Sequence, residues 1–327
     1  MRRQTAARLA GAALTLLLGV SAQTRTTEAQ TVTLAQANNA LQAGEADKAL
    51  ALLQALPATA EAHNLRCRVL YTLEKWNAAV DECRKAVSMD ADNSDYHMWL
   101  GRALGEKADR ASFLSAYSLA KQVHAEFETA AKLDPRNAAA LADLGEYDYS
   151  APGIVGGGMD KAAEVARQLD HVDPVRATEL RGHMAEHDKD YSTAERDLKQ
   201  AIAQSPHPAY QWMALGSYYR RRKDWDQMQQ AVESGYRAAQ RERHAAVALY
   251  NGASILFQTG KDFDLAAKMF EEYLNSSSKT EEAPAFVAHT KLAKLDAALG
   301  DKAAAGREKA AALELAREYG PAQELKF

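Results

Sequence analysis

The chain has 327 residues, 47% hydrophobic and 26% charged, a balance that excludes wholesale disorder and a polytopic membrane protein. Its 40 Lys and Arg against 44 Asp and Glu give a net charge of −4, whereas a dedicated nucleic-acid binder would carry a basic surplus, so no nucleic acid is expected as a partner. Eighteen Gly, 8 Pro and abundant Ala, Leu, Lys and Glu favour helix over sheet, and the length allows two ordinary domains or one elongated array.

Residues 1–22 read as a secretory signal: Arg2, Arg3 and Arg8 precede the apolar run 9–20, and Val20-Ser21-Ala22 supplies small residues for cleavage after Ala22. A run this short does not span ~30 Å of hydrocarbon, which takes about 20 residues, so the membrane is met only transiently during export. Arg2-Arg3 does not continue into a twin-arginine pattern, and no Cys lies near the cut to carry a lipid. Cleavage removes three Arg and no acid, which shifts the net charge from −4 to −7. Residues 23–30 follow as a flexible linker, and the mature chain is expected to be periplasmic or secreted, in an oxidising space.

From residue 31 to 318 one pattern recurs in units near 31–58, 60–93, 94–136, 137–174, 175–208, 209–242, 243–283 and 284–318, leaving 319–327 as a C-terminal tail. The first unit is weak, with Asp47-Lys48-Ala49, Leu53, Leu56 and Pro57, and the second carries Trp76-Asn77-Ala78-Ala79, Cys83, Ala86 and Met89. Leu100-Gly101 opens the third, which Phe127, Ala130 and Asp134-Pro135 close; Leu144-Gly145 opens the fourth, which Ala162, Ala166, Leu169 and Asp173-Pro174 close. The fifth and sixth are in strict register, since Gly182 to Gly216 and Tyr191 to Trp225 are both 34 residues. Gly260-Lys261-Asp262-Phe263 with Ala266, Phe270 and Tyr273 marks the seventh, and Leu299-Gly300-Asp301-Lys302 with Ala305 and Leu313 the eighth.

This unit resembles the tetratricopeptide repeat, W-x2-L-G-x2-Y, then A-x3-F, then P, carried here by Trp212, Leu215-Gly216 and Tyr219. The resemblance implies an all-α, right-handed superhelical solenoid of about eight helical hairpins with a concave inner surface. Leu-Gly and Ala suit the close approach of two antiparallel helices, and aromatics at helical spacing fill the space between hairpins. Trp76, Trp99, Trp212 and Trp225 sit on this lattice and read as structural, while Pro57, Pro135, Pro174 and Pro206 fall between units, where they stop helices.

Two segments break the period. About ten extra residues lie around 109–119 without Gly or Pro, which predicts longer helices and a projecting hairpin, and five lie in the Gly-rich 151–158. Insertions in a solenoid collect on one face and often carry binding. Gly156 to Gly158 lacks both a preceding strand and a Gly-Lys-Ser/Thr ending, so it reads as a turn needing positive φ, with Ile154 and Val155 tucked against the array. The Pro-Gly-Ile-x-Gly-Gly turn is similar to one in bacterial extracytoplasmic tetratricopeptide proteins and, more distantly, in the regulator of microtubule dynamics family, and that likeness implies no catalysis.

His183-Met184-Ala185-Glu186-His187 matches the inverted zinc-protease motif H-x-x-E-H, but no third ligand is assigned and the reading is a solvated helix face, with no metal and no cofactor. His63, His97, His124 and His289 read as scattered. Cys67 and Cys83 lie on the two helices of the second unit and form a possible disulfide, worth ~3 kcal/mol, or two buried free thiols. No C-x-x-C is present to suggest redox work.

In the family resembled, ligands lie along the first helices of successive hairpins. The positions this implies here are Asn64, Arg68, Tyr71, Arg102, Glu146, Tyr149, Arg176, His183, Glu186, His187, Tyr210, Arg220 and Arg221. Arg68 and Arg102 stand in equivalent places and could grip a carboxylate by forked bonds, while Glu146 departs from the Lys/Asn/Arg clamp of some members. Arg220-Arg221-Arg222-Lys223 reads as a solvated helix end. The expectation is a non-enzymatic extracytoplasmic scaffold that docks a protein or peptide partner in its groove; the alternative is a small-ligand binding component of an envelope or uptake system.

Overall fold

A computed structural model describes residues 32–327, and the leader and linker readings fall outside them. Among the described residues there are seventeen helices and no strand. They pair into eight hairpins: α1 (Leu34–Gln42) with α2 (Ala46–Gln54), α3 (Ala60–Thr72) with α4 (Trp76–Met89), α5 (Ser94–Ala108) with α6 (Phe113–Leu133), and α7 (Ala138–Ser150) with α8 (Met159–Leu169). The array continues with α9 (Pro174–His187) and α10 (Tyr191–Gln204), α11 (Ala209–Arg222) and α12 (Trp225–Ala239), α13 (Ala246–Thr259) and α14 (Phe263–Asn275), and α15 (Ala285–Ala298) and α16 (Lys302–Leu315). The last helix is the single turn α17 (Gly320–Gln323).

Local chemistry sets these boundaries. Thr59, Asn93, Asn137 and Asp173 cap first helices through their side chains, and Asp190, Asp224, Asp262 and Asp301 cap second helices. Between the helices of six hairpins the chain turns through a positive-φ residue, Gly44, Glu74, Lys189, Lys223, Gly260 (followed by Asp262) or Gly300, the left-handed stop that lets a helix reverse. Gly101 and Gly145 have no side chain because neighbours occupy that space: a Cβ would strike the Phe127 ring at one and Leu180 at the other. Those close approaches explain the repeated Leu-Gly.

Most of the ten-residue insertion goes into α6, which runs 21 residues against 14 in α4 and α10 and leaves Phe113 and Leu114 exposed at its start. The Gly-rich insertion packs beside it, and the Tyr147 hydroxyl holds the two together, 2.8 Å from Ala120 O and 2.9 Å from Val155 O. Val155 is tucked in as expected. Ile154 is not: it stands 72% exposed, because the 3-10 turn 153–155 points consecutive side chains in different directions.

The histidines are less scattered than they look in sequence. His63, His97 and His289, each on a first helix, place Nδ1 2.6 Å from Glu82, Glu126 and Glu308 on the second helix of the same hairpin. The same bracket therefore ties three hairpins. Cys67 and Cys83 are joined by a disulfide across the second hairpin, with Cα atoms 5.2 Å apart.

The array does not end open. Hairpin tips at the N-terminal end dock on the base of the eighth hairpin, so that Phe286, Ala312, Tyr319 and Ala322 share one core with Leu41, Leu53, Leu65 and Val69. A Cβ at Gly44 would overlap the Ala285 backbone, so Gly there permits the approach. Around this apolar seam Arg68 forks onto Glu281, with Nε 2.9 Å from Oε2, and Gln42 exchanges bonds of 3.0 and 3.2 Å with the same residue. Asp47 accepts from the Arg317 backbone at 3.0 Å, Tyr319 donates to Glu74 at 3.1 Å, and Lys75 pairs with Glu318. Residues 319–327, read from the sequence as a tail, thus contribute two buried side chains, Tyr319 and Ala322, to the closure.

Candidate functional site

The first helices turn one face inward, and two adjacent cavities along them share Arg176 and Glu179 in their walls. Arg176, Glu179, His183 and Glu186 recur at intervals of three and four residues, which sets them in a row on α9.

The first cavity, about 700 Å³, collects Glu146, Tyr149, Arg176, His183, Glu186, His187 and Arg221. Arg221 bridges from α11 to α9 with a two-pronged bond to Glu186, both prongs 2.7 Å. Burial would raise the Glu186 carboxyl, but the Arg221 fork and neighbouring His183 outweigh it and hold the group down at about 2. The H-x-x-E-H residues are thereby drawn apart in role. Glu186 serves Arg221, His187 stacks edge-on against Tyr149 with centroids 5.8 Å apart, and His183 stays 3.9 Å from Glu186. Among the described residues no group of three or more His, Cys, Asp or Glu converges as a metal site.

The second cavity, about 780 Å³, lies between α9, α11, α13 and α15 and takes Tyr210 and Arg220 from the sequence-derived set. Tyr210 places its hydroxyl 3.4 Å from His244 O. Burial pushes the Glu179 carboxyl up despite its bond with Gln211, and pushes the Tyr250 phenol to about 12. Gln211 Oε1 and Arg220 Nε are buried without a partner among the described residues, so this wall keeps an acceptor and a donor unsatisfied.

The remaining positions lie elsewhere. Asn64 and Arg68 border a cavity of about 570 Å³ near Asn38, and Arg68 is engaged by Glu281 at the seam. Arg102 lines about 410 Å³ beneath the Gly-rich turn, together with Glu146. It forks onto Asp143 at 2.5 and 3.2 Å while its guanidinium covers the Trp99 ring at 4.8 Å. Both arginines expected to hold a partner's carboxylate hold one of the chain's own. Tyr71 borders none of these cavities; it sits edge-on to Trp76 and Trp99 at 5.3 and 5.6 Å, which gives those two tryptophans their packing role.

Sequence reasoning missed Glu179, Gln211, Asn251, Ser254, Glu282 and Lys291, all of which line the larger cavity. Glu179 could have been found one helical turn after Arg176, and Gln211 as the neighbour of Tyr210. The α13 and α15 residues lie in units whose first helices lack the Leu-Gly landmark that fixes register.

No family model matches the sequence, and no curated protein matches it. Among solved structures the chain is similar to yeast Tom70, at 14% identity and a TM-score of 0.46, over 79% of this chain and 61% of that one. It is similar to Cut9 in the APC/C hetero-tetramer Cut9–Hcn1, at 12% identity and a TM-score of 0.40, over 85% and 57% of the respective chains. YrrB, described as a TPR protein with an unusual peptide-binding site, is 20% identical with a TM-score of 0.38, over 53% of this chain and 84% of that one. The chain thus spans about three fifths of the length of the first two proteins. With its 34-residue register and eight consecutive hairpins, it is a tetratricopeptide-like helical array.

Proposed function

We propose that this chain is an exported, non-enzymatic scaffold that holds an extended polar peptide of a protein partner along the inner face. The observation that carries the reading is the adjacency of the two cavities, which share Arg176 and Glu179 as a common wall. An extended peptide offers backbone donors and acceptors at every residue, and the larger cavity answers with amides and hydroxyls on the first helices of two successive hairpins: Gln211 and Ser217 on α11, Asn251, Ser254 and Gln258 on α13. Charges of both signs beside them suit a polar, mixed-charge segment better than an apolar one. The leader supports export, and a chain starting at Gln23 is the mature form this reading requires.

Selection of a random peptide library on the full mature chain tests the binding. Enriched polar peptides should lose about tenfold in affinity with Arg176→Ala and Gln211→Ala combined, about 1.4 kcal/mol for two polar contacts. No enrichment, or enriched peptides indifferent to that pair, would overturn the reading.

A further inference from the structure

Most inner-face cations are matched within the chain. Arg68 has Glu281, Arg102 has Asp143, Arg176 has Asp173 and Arg221 has Glu186. Lys291 has none: among the described residues its Nζ donates only to Ser254 Oγ, at 2.9 Å, and lies 4.3 Å from the centroid of the Tyr250 ring. It lines the larger cavity and is partly exposed to it, so the amine is reachable. Arg220, whose Nε has no partner, lines the same space.

We propose that Lys291 is a covalent capture site for a small carbonyl compound bearing an anionic group, the amine taking the carbonyl carbon as an imine and Arg220 receiving the anion. The site goes beyond peptide docking and needs only the chamber. The free amine of Lys291 attacks the carbonyl carbon to form the C–N bond. Both amine hydrogens then leave with the carbonyl oxygen as water, and C=N remains; no oxidant or reductant enters.

Burial, with the like charge of Lys294 on the same helix, pushes the Lys291 amine down to about 8, so about a fifth of it is unprotonated at pH 7.4. A lysine at the ordinary value has less than about 0.1% in that form. The groups facing the amine fit this state: Tyr250 from α13 is a neutral phenol, its hydroxyl pushed up to about 12, and the loop 276–284 contributes Glu282 to the cavity without pairing to Lys291. A volume of about 780 Å³ accommodates a cofactor-sized aldehyde.

The test uses the full mature chain with pyridoxal 5′-phosphate, or pyridoxal lacking the phosphate, followed by borohydride reduction and peptide mapping. The expected result is modification of Lys291 at least about tenfold faster than of Lys294, at a rate that rises through about pH 8. Lys291→Arg should abolish the fast phase, and Arg220→Gln should slow the phosphorylated probe alone. The wild-type map decides the question even where a variant folds poorly. Label spread evenly over exposed lysines, or a fast phase surviving in Lys291→Arg, would overturn the proposal. Equal rates for the two probes would remove the anionic requirement and overturn the ligand class. Peptide selection plays no part, so failure here and failure of peptide docking are read separately.

Discussion

Truncating Glu281 to Ala removes the carboxylate that Arg68 and Gln42 share at the seam. The Arg68 and Glu281 side chains are only 18% and 10% exposed, so the deletion leaves a largely buried guanidinium whose remaining polar contact is Asn38 at 3.5 Å. Breaking such a pair from one side costs about 3–5 kcal/mol, more than the 0–1 kcal/mol of an exposed pair. Because an array's stability is a sum of neighbour terms, the loss falls on the interface between its ends, and the apolar seam of Phe286 and Tyr319 with Leu41 and Leu53 then has to hold alone. Glu281→Ala should therefore lower the unfolding free energy by about 3 kcal/mol in urea titrations followed by circular dichroism, and enlarge the radius of gyration in small-angle scattering. A double-mutant cycle with Arg68→Ala should return a coupling of about 2 kcal/mol. A coupling within about 0.5 kcal/mol of zero, with an unchanged radius of gyration, would show that the seam does not depend on this pair.

Two further outcomes follow from other parts of the array. Purified under non-reducing conditions and then denatured, the exported chain should show no free thiol; replacing both Cys67 and Cys83 by Ala should cost about 3 kcal/mol for the 16-residue separation they close, and two titratable thiols would refute the pairing. Asp296 is pushed up to about 6, by burial first and then by Glu308, Asp301 and Glu271. Its folded form therefore binds a proton that the unfolded form has released between about pH 4 and 6, so it draws stability down as pH rises through that window. Asp296→Asn should match the parent below pH 4 and be the more stable protein at pH 7, as thermal melts at both values would show; an equal or larger deficit at pH 7 would contradict the cause assigned.

What the sequence discloses is what repeats. The 34-residue step from Gly182 to Gly216 also carries Lys189 to Lys223, the paired left-handed turns, and Asp190 to Asp224, the paired caps, so register, turn and cap are legible together in the fifth and sixth hairpins. The histidine brackets were legible in principle: His63 to Glu82 and His289 to Glu308 are both 19 residues, and His97 to Glu126 is 29, the same spacing once the ten-residue insertion is allowed for. The seam was not. Its partners, Arg68 with Glu281 and Asp47 with Arg317, lie 213 and 270 residues apart, occur once, and follow no period, because end-to-end contact depends on curvature accumulated over the seven interfaces between consecutive hairpins.

That closure, together with the pairing along the inner helices, decides where a charged ligand can gain binding energy. A carboxylate arriving at Arg221 must displace Glu186, which is held so firmly that its own proton affinity has fallen to about 2, and one arriving at Arg68 must open the seam. In both places the incoming charge replaces an existing one and the net gain is small. Lys291 and Arg220 present donors that no carboxylate of the described chain compensates, so the same group placed there replaces no internal partner. The arginines that look most like ligand grips in the sequence therefore serve the fold, and an anionic ligand is drawn instead to the cavity of the sixth to eighth hairpins, where Lys291 and Arg220 have no carboxylate partner among the described residues.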